Sequence, residues 1–400
     1  MPLIFLSDRM ELVLEKSKKI TLLLVAVFIV SAVSAWILVV DNSPQGEEYQ
    51  LLAEQLLEKA RIEFQQIREE PVREVVLEVV NQSWVLENWG TGYIDTERTA
   101  IEENTYKALF MIPQDSDLYD VKLSWTGMYH AAKWNGKIYV VEDNFDITKN
   151  SSVTATFVHE LTHIMQDDYS LPQRTTFDGS KALTSLKEGD ATLMADAYKN
   201  DGVVPASAPV SMPSSSSIPE TIDWLNRFVY RYGVEFVKTV HQQGGWNAVN
   251  QAYTNLPNTT EQILHPEKYL SQENALSVKA PTVTHDWTLT KTDSLGEYFI
   301  YVMLDHWISA EEAQTASTGW GGDVSSYYEN GDDFLFTWNI MWDTEADAHE
   351  FYETFHDMMA ETLADEVEND CWFDNGRYLS VQLNKNSTLL TSSENLSIVQ

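Results

Sequence analysis

The chain has 400 residues, of which 44% are hydrophobic and 12% aromatic, enough for a sizeable core and too many for a disordered chain. Its formal net charge of −35, from 26 Lys and Arg against 61 Asp and Glu, repels polyanions, so no nucleic-acid partner is expected. The single cysteine, Cys371, excludes an intrachain disulfide.

In chain order, residues 20–40 are the first feature, an uncharged run of ITLLLVAVFIVSAVSAWILVV. At about 1.5 Å per residue it matches the thickness of a bilayer's hydrocarbon core. Arg9, Lys16, Lys18 and Lys19 precede it, and Asp41, Glu47 and Glu48 follow. The positive-inside rule then puts residues 1–19 in the cytoplasm and the remainder outside, a single-pass protein of the cell membrane with its main part extracellular. A cleaved signal peptide ending at Val33-Ser34-Ala35 is the competing reading, but the apolar run continues through Trp36 to Val40, which favours a retained anchor. Residues 41–70 read as a helical stalk with Leu52, Leu56, Ile62 and Ile67 along it, ended by Pro71.

A first lobe is expected over 71–202, with strands at 75–80, 108–112, 121–125 and 137–142 and a turn at Trp134-Asn135-Gly136-Lys137. The helix after them carries His159-Glu160-Leu161-Thr162-His163. Residues four apart share a helix face, so both imidazoles can reach one Zn²⁺, and the glutamate between them is placed to act as a base on a water molecule. Val158, Leu161, Ile164 and Met165 recur at helical spacing as its core face, with Ser151 and Ser152 as N-cap candidates. A surface helix with two solvated histidines is the bland alternative.

A catalytic zinc needs a third protein ligand. An H-E-x-x-H-x-x-G-x-x-H continuation fails, because Gln166 and Tyr169 stand at its glycine and histidine places. Asp167 and Asp168 follow His163 so closely that they would point past the ion. Glu188, opening a helix at Ser185-Leu186-Lys187-Glu188-Gly189-Asp190-Ala191, is the third option, with Gly189 and Ala191 small enough for close helix packing. Its bland reading is an acidic residue favoured by the dipole of a helix's first turn.

Residues 203–218 are Pro/Ser-rich and uncharged, a linker or long loop. The rest, 219–400, reads as a mostly helical second lobe with helices at 220–240, 246–255, 296–308 and 345–367, then a final strand and a polar tail. Ala348, Phe351, Phe355, Met358 and Leu363 form the stripe of the last helix, and Trp320-Gly321-Gly322-Asp323 and Asn330-Gly331-Asp332 read as turns. His241, Tyr232, Tyr230, His265 and Arg231 are candidate donors to a developing oxyanion, each of them more commonly a packed or solvated side chain. Glu261 and His265, four apart, form a candidate second metal pair whose bland reading is packing at Pro266. Sequons stand at Asn81, Asn150, Asn258, Asn386 and Asn395.

His159-Glu160-x-x-His163 followed by Glu188-Gly189-Asp190-Ala191 resembles the gluzincin branch of zinc metallopeptidases. The resemblance implies a zincin-like mixed sheet with active-site helices, Glu188 as third ligand, one Zn²⁺, Glu160 as general base and a peptide or protein substrate. The aspartate that the branch carries four residues after that ligand is replaced here by Thr192, so Asp190 is the nearest substitute for orienting His159. A wider resemblance rests on Tyr232-Gly233, Gly244-Gly245-Trp246, the run 259–269 and Gly319-Trp320-Gly321-Gly322-Asp323. These stretches are similar to an uncharacterised family of largely archaeal surface proteins. The expected architecture is thus α+β, with an N-terminal transmembrane helix, a catalytic lobe and a mostly helical second lobe. A surface or adhesion protein that holds zinc without turnover is the alternative function.

Overall fold

A computed structural model of the protein describes residues 44–205, 218–283 and 286–399. The expected cytoplasmic stretch 1–19, the span 20–40 and most of the 203–218 loop lie outside the described residues. Among the described residues no helix is long and apolar enough to cross a membrane. The expectation of a single-pass membrane protein is corrected on that finding.

Helix α1, Glu47–Arg68, opens the described chain. It is no free stalk: Ala53, Leu56, Leu57, Ala60 and Phe64 are buried at helical spacing, and so is Arg68 at its end. The expected stripe differs, since Ile62 is exposed. Strand β1, Leu77–Val80, follows, and then two helices, α2 at Thr96–Ala108 and α3 at Leu118–Thr126. Helix α3 replaces the strand expected at 121–125, and the strand expected at 108–112 is instead the last residue of α2 and a turn with Phe110 at φ 57°. The cap of α3 is local: Asp117 accepts a backbone N–H bond from Asp120, and Leu118 and Val121 share one buried face.

Strands β2, Ala131–Trp134, and β3, Lys137–Val141, form a hairpin. Asn135 and Gly136, both at positive φ (49° and 73°), make the turn expected before β3, and the strand on its other side, β2, is an addition to the expectation. The small sheet runs β1-β3-β2, with β1 parallel and β2 antiparallel to β3. So β3 is central, and β2 is an edge strand.

Three long helices follow: α4, Asn150–Gln166, α5, Phe177–Lys199, and α6, Glu220–Ala252. Ser151 and Ser152 lie inside the first turn of α4, and no side chain caps it. Val158, Leu161 and Ile164 are fully buried, as their spacing required. Helix α5 begins at Phe177, capped by Thr176, well before the expected start near Ser185. Helix α6 is broken at Gly244 and Gly245, the latter at φ 65°.

The second half is where the expectation of a mostly helical lobe is overturned. A seven-stranded antiparallel sheet runs in the order β4-β5-β6-β10-β9-β8-β7. Its strands are β4 Thr288–Asp293, β5 Trp320–Asn330, β6 Asp333–Trp342, β7 Asp365–Glu368, β8 Cys371–Asp374, β9 Arg377–Asn384 and β10 Ser387–Ser393. Helices α7, Glu297–Asp305, α8, Ala310–Ser317, and α9, Glu345–Glu361, accompany it. Asn330 and Asp333 pair across the expected turn. Helix α9 stops before Leu363, which is 95% exposed rather than part of its core stripe. The fold is α+β, with its β content concentrated where helices were expected. One apolar core includes Leu186 of α5, Phe236 of α6, Phe299 of α7 and Trp338 of β6.

Candidate metal centre

The site lies where α4 and α5 face each other under the β2 edge. His159 and His163 sit one turn apart on α4, and their rings meet edge to face with centroids 4.8 Å apart. Their Nε2 atoms are 3.1 Å apart. Glu188 Oε2 lies 3.3 Å from His159 Nε2 and 3.4 Å from His163 Nε2. Glu188 is about three turns into α5, so the first-turn dipole does not account for it.

These spacings allow a direct test of fit. A tetrahedral ion bound at 2.0–2.1 Å would hold its ligands about 3.3–3.4 Å apart, close to the observed triangle. Nitrogen, nitrogen and carboxylate oxygen are also ligands of the kind zinc takes. The residues fit the ion.

In the metal-free site the same convergence acts on protons. Burial disfavours the His163 cation, but the Glu188 carboxylate outweighs it and His163 is pushed up to about 9. Burial would raise Glu188, yet the charged His163 and its hydrogen bonds hold the carboxyl far below the usual range. The two imidazoles and the carboxylate thus hold a proton at this point.

Glu160 is 5% exposed, and its Oε2 has no hydrogen-bond partner among the described residues. It lines the same cleft of about 460 Å³ as His159, His163 and Glu188. Trp125, Met128 and Ala155 give the cleft apolar wall, and Ala131, Ala132 and Lys133 of β2 border it. Tyr129 and Tyr230 also line it. Burial, Glu188 and Glu160 push the Tyr129 phenol up, and the Glu188 charge followed by burial pushes Tyr230 well above its ordinary value. Both keep their protons at neutral pH and can donate.

The expected donors therefore separate. Tyr230 is at the cleft. Tyr232 packs against Phe228 and Tyr298 and, with His265, lines a different cavity of about 140 Å³. His241 rests against Trp246 with ring centroids 4.7 Å apart, and neither it nor Arg231 is among the cleft-lining residues. Tyr129 and His130 were missed because nothing in their short segment before β2 distinguishes them from other loop residues. Residues 138–141 lie in the central strand β3, and the edge strand that borders the cleft is β2.

The alternative ligands are engaged elsewhere. Asp167 pairs with Arg73 at 2.9 Å and with Lys133, and Asp168 faces Arg73 at 3.9 Å. The candidate pair Glu261 and His265 is not joined: Glu261 binds Lys268 at 2.6 Å and His265 binds Glu297 at 3.0 Å. Asp190, the nearest substitute for the missing aspartate, is held by Arg68 and Tyr253 and does not meet His159. Thr192 lines the cleft. Gly189 does give close packing, but against Gly233 of α6: a Cβ at either glycine would strike the other helix's backbone.

The profile of a family described as a domain of unknown function, DUF8575, matches residues 286–397, the region of the large sheet. No protein of curated function matches the chain. A crystal structure of a candidate hydrolase with a novel fold from Chloroflexus aurantiacus is similar at 15% identity, covering 58% of this chain and 93% of that one, with a TM-score of 0.37. A likeness at that level bears on neither activity nor fold.

Proposed function

We propose that the protein is a zinc-dependent peptidase of gluzincin type, with His159, His163 and Glu188 as metal ligands and Glu160 as general base. One observation carries this reading: three ligand atoms converge at 3.1–3.4 Å on the floor of a cleft that also holds an unpartnered, buried glutamate oxygen. A structural metal site has no use for that carboxylate. Zinc held there would supply Lewis acidity toward a carbonyl oxygen and toward water.

The chain's own residues do the rest. Glu160 takes the proton of the attacking water and passes it to the leaving amine nitrogen. The Tyr129 and Tyr230 hydroxyls donate to the carbonyl oxygen as it gains negative charge. The outer edge of β2 has no paired strand among the described residues and can take an extended peptide, which favours a peptide over a compact substrate. Trp125, Met128 and Ala155 supply apolar surface for a substrate side chain.

The test is cleavage of a mixed peptide library by the zinc-loaded protein and by Glu160→Gln. The reading predicts cleavage by the parent and its loss in the variant, with zinc content unchanged. Zinc binding without cleavage by the parent would favour a non-catalytic binding protein.

A further inference from the structure

His163 is oriented by a chain of hydrogen bonds whose direction is set by one buried ion pair. Arg68, at the end of α1, and Asp190, on α5, have fully buried side chains and pair at 2.5 Å through Nη1 and 3.2 Å through Nη2. Burial works against the Arg68 charge, and Asp190 more than offsets it. Arg68 also donates to Asn250 Oδ1 at 2.6 Å and lies 4.6 Å from the centre of the Trp246 ring.

Held by Arg68, the Asp190 carboxylate accepts only. Tyr253 Oη, 2.8 Å from Asp190 Oδ2, must therefore donate to it. The tyrosine oxygen is then left to accept from Gln166 Nε2, also at 2.8 Å. Gln166 Nε2 donates its second proton to the Lys187 carbonyl at 2.9 Å. Both neighbours of that nitrogen need a donor, so the amide cannot be turned over. Its Oε1 faces His163 Nδ1 at 2.8 Å and must accept a proton there. Neutral His163 is thereby fixed as the Nδ1–H tautomer, with the Nε2 lone pair directed at His159 and Glu188.

We propose that Gln166 and Tyr253, anchored by Asp190 and Arg68, are positioning residues that set the tautomer and aim of His163. The proposal rests on the reading of His163 as a metal ligand. It also gives Asp190 a role other than the one its place beside Glu188 suggested: it acts on the second histidine, through two intermediaries. An outer partner of a metal-bound histidine typically changes metal affinity about 10–100-fold when removed.

The test measures Zn²⁺ affinity of the full chain by chelator competition at pH 7.5, for the parent, His163→Ala, Gln166→Leu, Gln166→Glu and Tyr253→Phe. Thermal melting in excess chelator monitors the fold. The relay predicts a fall of roughly 10–100-fold for Gln166→Leu and a smaller fall for Tyr253→Phe. Gln166→Glu keeps an acceptor toward Nδ1 but loses the donor to Tyr253 and the Lys187 carbonyl, so its affinity should fall less than that of Gln166→Leu. Parent-like affinity in both Gln166→Leu and Tyr253→Phe would overturn the relay, as would equal losses in Gln166→Leu and Gln166→Glu that track their melting temperatures. Failure of the metal reading gives a different pattern, with the parent and His163→Ala binding zinc equally or not at all.

Discussion

Gly189 of α5 and Gly233 of α6 meet backbone against backbone, close enough that a Cβ on Gly189 would fall on the Gly233 carbonyl. Glu188 is the preceding residue and projects about 100° around the helix, toward α4. The crossing of α5 and α6 therefore sets how far Glu188 stands from the two histidines. Gly189→Ala should cost about 1–3 kcal/mol or more of stability, because the obstacle is backbone and cannot change rotamer. Denaturant titration measures the loss, and weaker zinc binding should accompany it.

Tyr230 lines the cleft, and its phenol keeps its proton at neutral pH. On the proposed reading, Tyr230→Phe removes one donor to the developing oxyanion and leaves the ring. The expected outcome is a fall in kcat of roughly 10²-fold with KM little changed. Tyr232→Phe should leave both constants near the parent's, since Tyr232 faces another cavity. Steady-state kinetics on a peptide found in the library screen would decide.

How much of this the residues announce depends on how local each signal is. His159, Glu160 and His163 are visible because five consecutive positions on one helix define the geometry. Glu188 is visible because only a short loop separates its helix from theirs. Its neighbour in space, Tyr129, comes from a different element and carries no pattern. The strands expected at 121–125 are a helix because Asp117 caps it, a bond that a short apolar run does not reveal. The large sheet was missed partly because Trp320-Gly321-Gly322 looks like a turn. In fact these residues begin β5 at a bulge, where Leu276 N donates to Gly321 O at 2.7 Å and a Cβ on Gly322 would meet the Leu276 carbonyl. The glycines serve that close approach of a distant segment.

The buried Asp178 offers a test of the joint between α5 and the residues leading into α7. Burial pushes its carboxyl up to about 8, against the opposing bonds from Thr260 N and Oγ1, each 2.6 Å. Because the folded pKa exceeds the unfolded one near 3.9, the folded state binds more protons, and stability falls as pH rises from about 4 to about 8. Asp178→Asn keeps an acceptor for Thr260 and removes the titration. Its melting temperature relative to the parent's should rise between pH 5 and pH 8.5.

Metal affinity should itself depend on pH. His163, pushed up to about 9 in the metal-free site, must lose a proton to bind a metal. Zinc affinity is therefore expected to rise with pH up to about 9, by close to tenfold per unit from this group. In Glu188→Gln the histidine loses the carboxylate that holds its proton, so the rise should end at lower pH. Chelator competition across a pH series reads both slopes.

The central claim is that His159, His163 and Glu188 together hold one zinc ion. Its most direct measurement is the zinc content per chain after dialysis against a buffered low level of free Zn²⁺, for the parent and for Glu188→Ala. The account predicts one ion per parent chain and a marked loss in Glu188→Ala, with both proteins still giving a cooperative melt in chelator. A parent chain without zinc, or equal retention by Glu188→Ala, would contradict it.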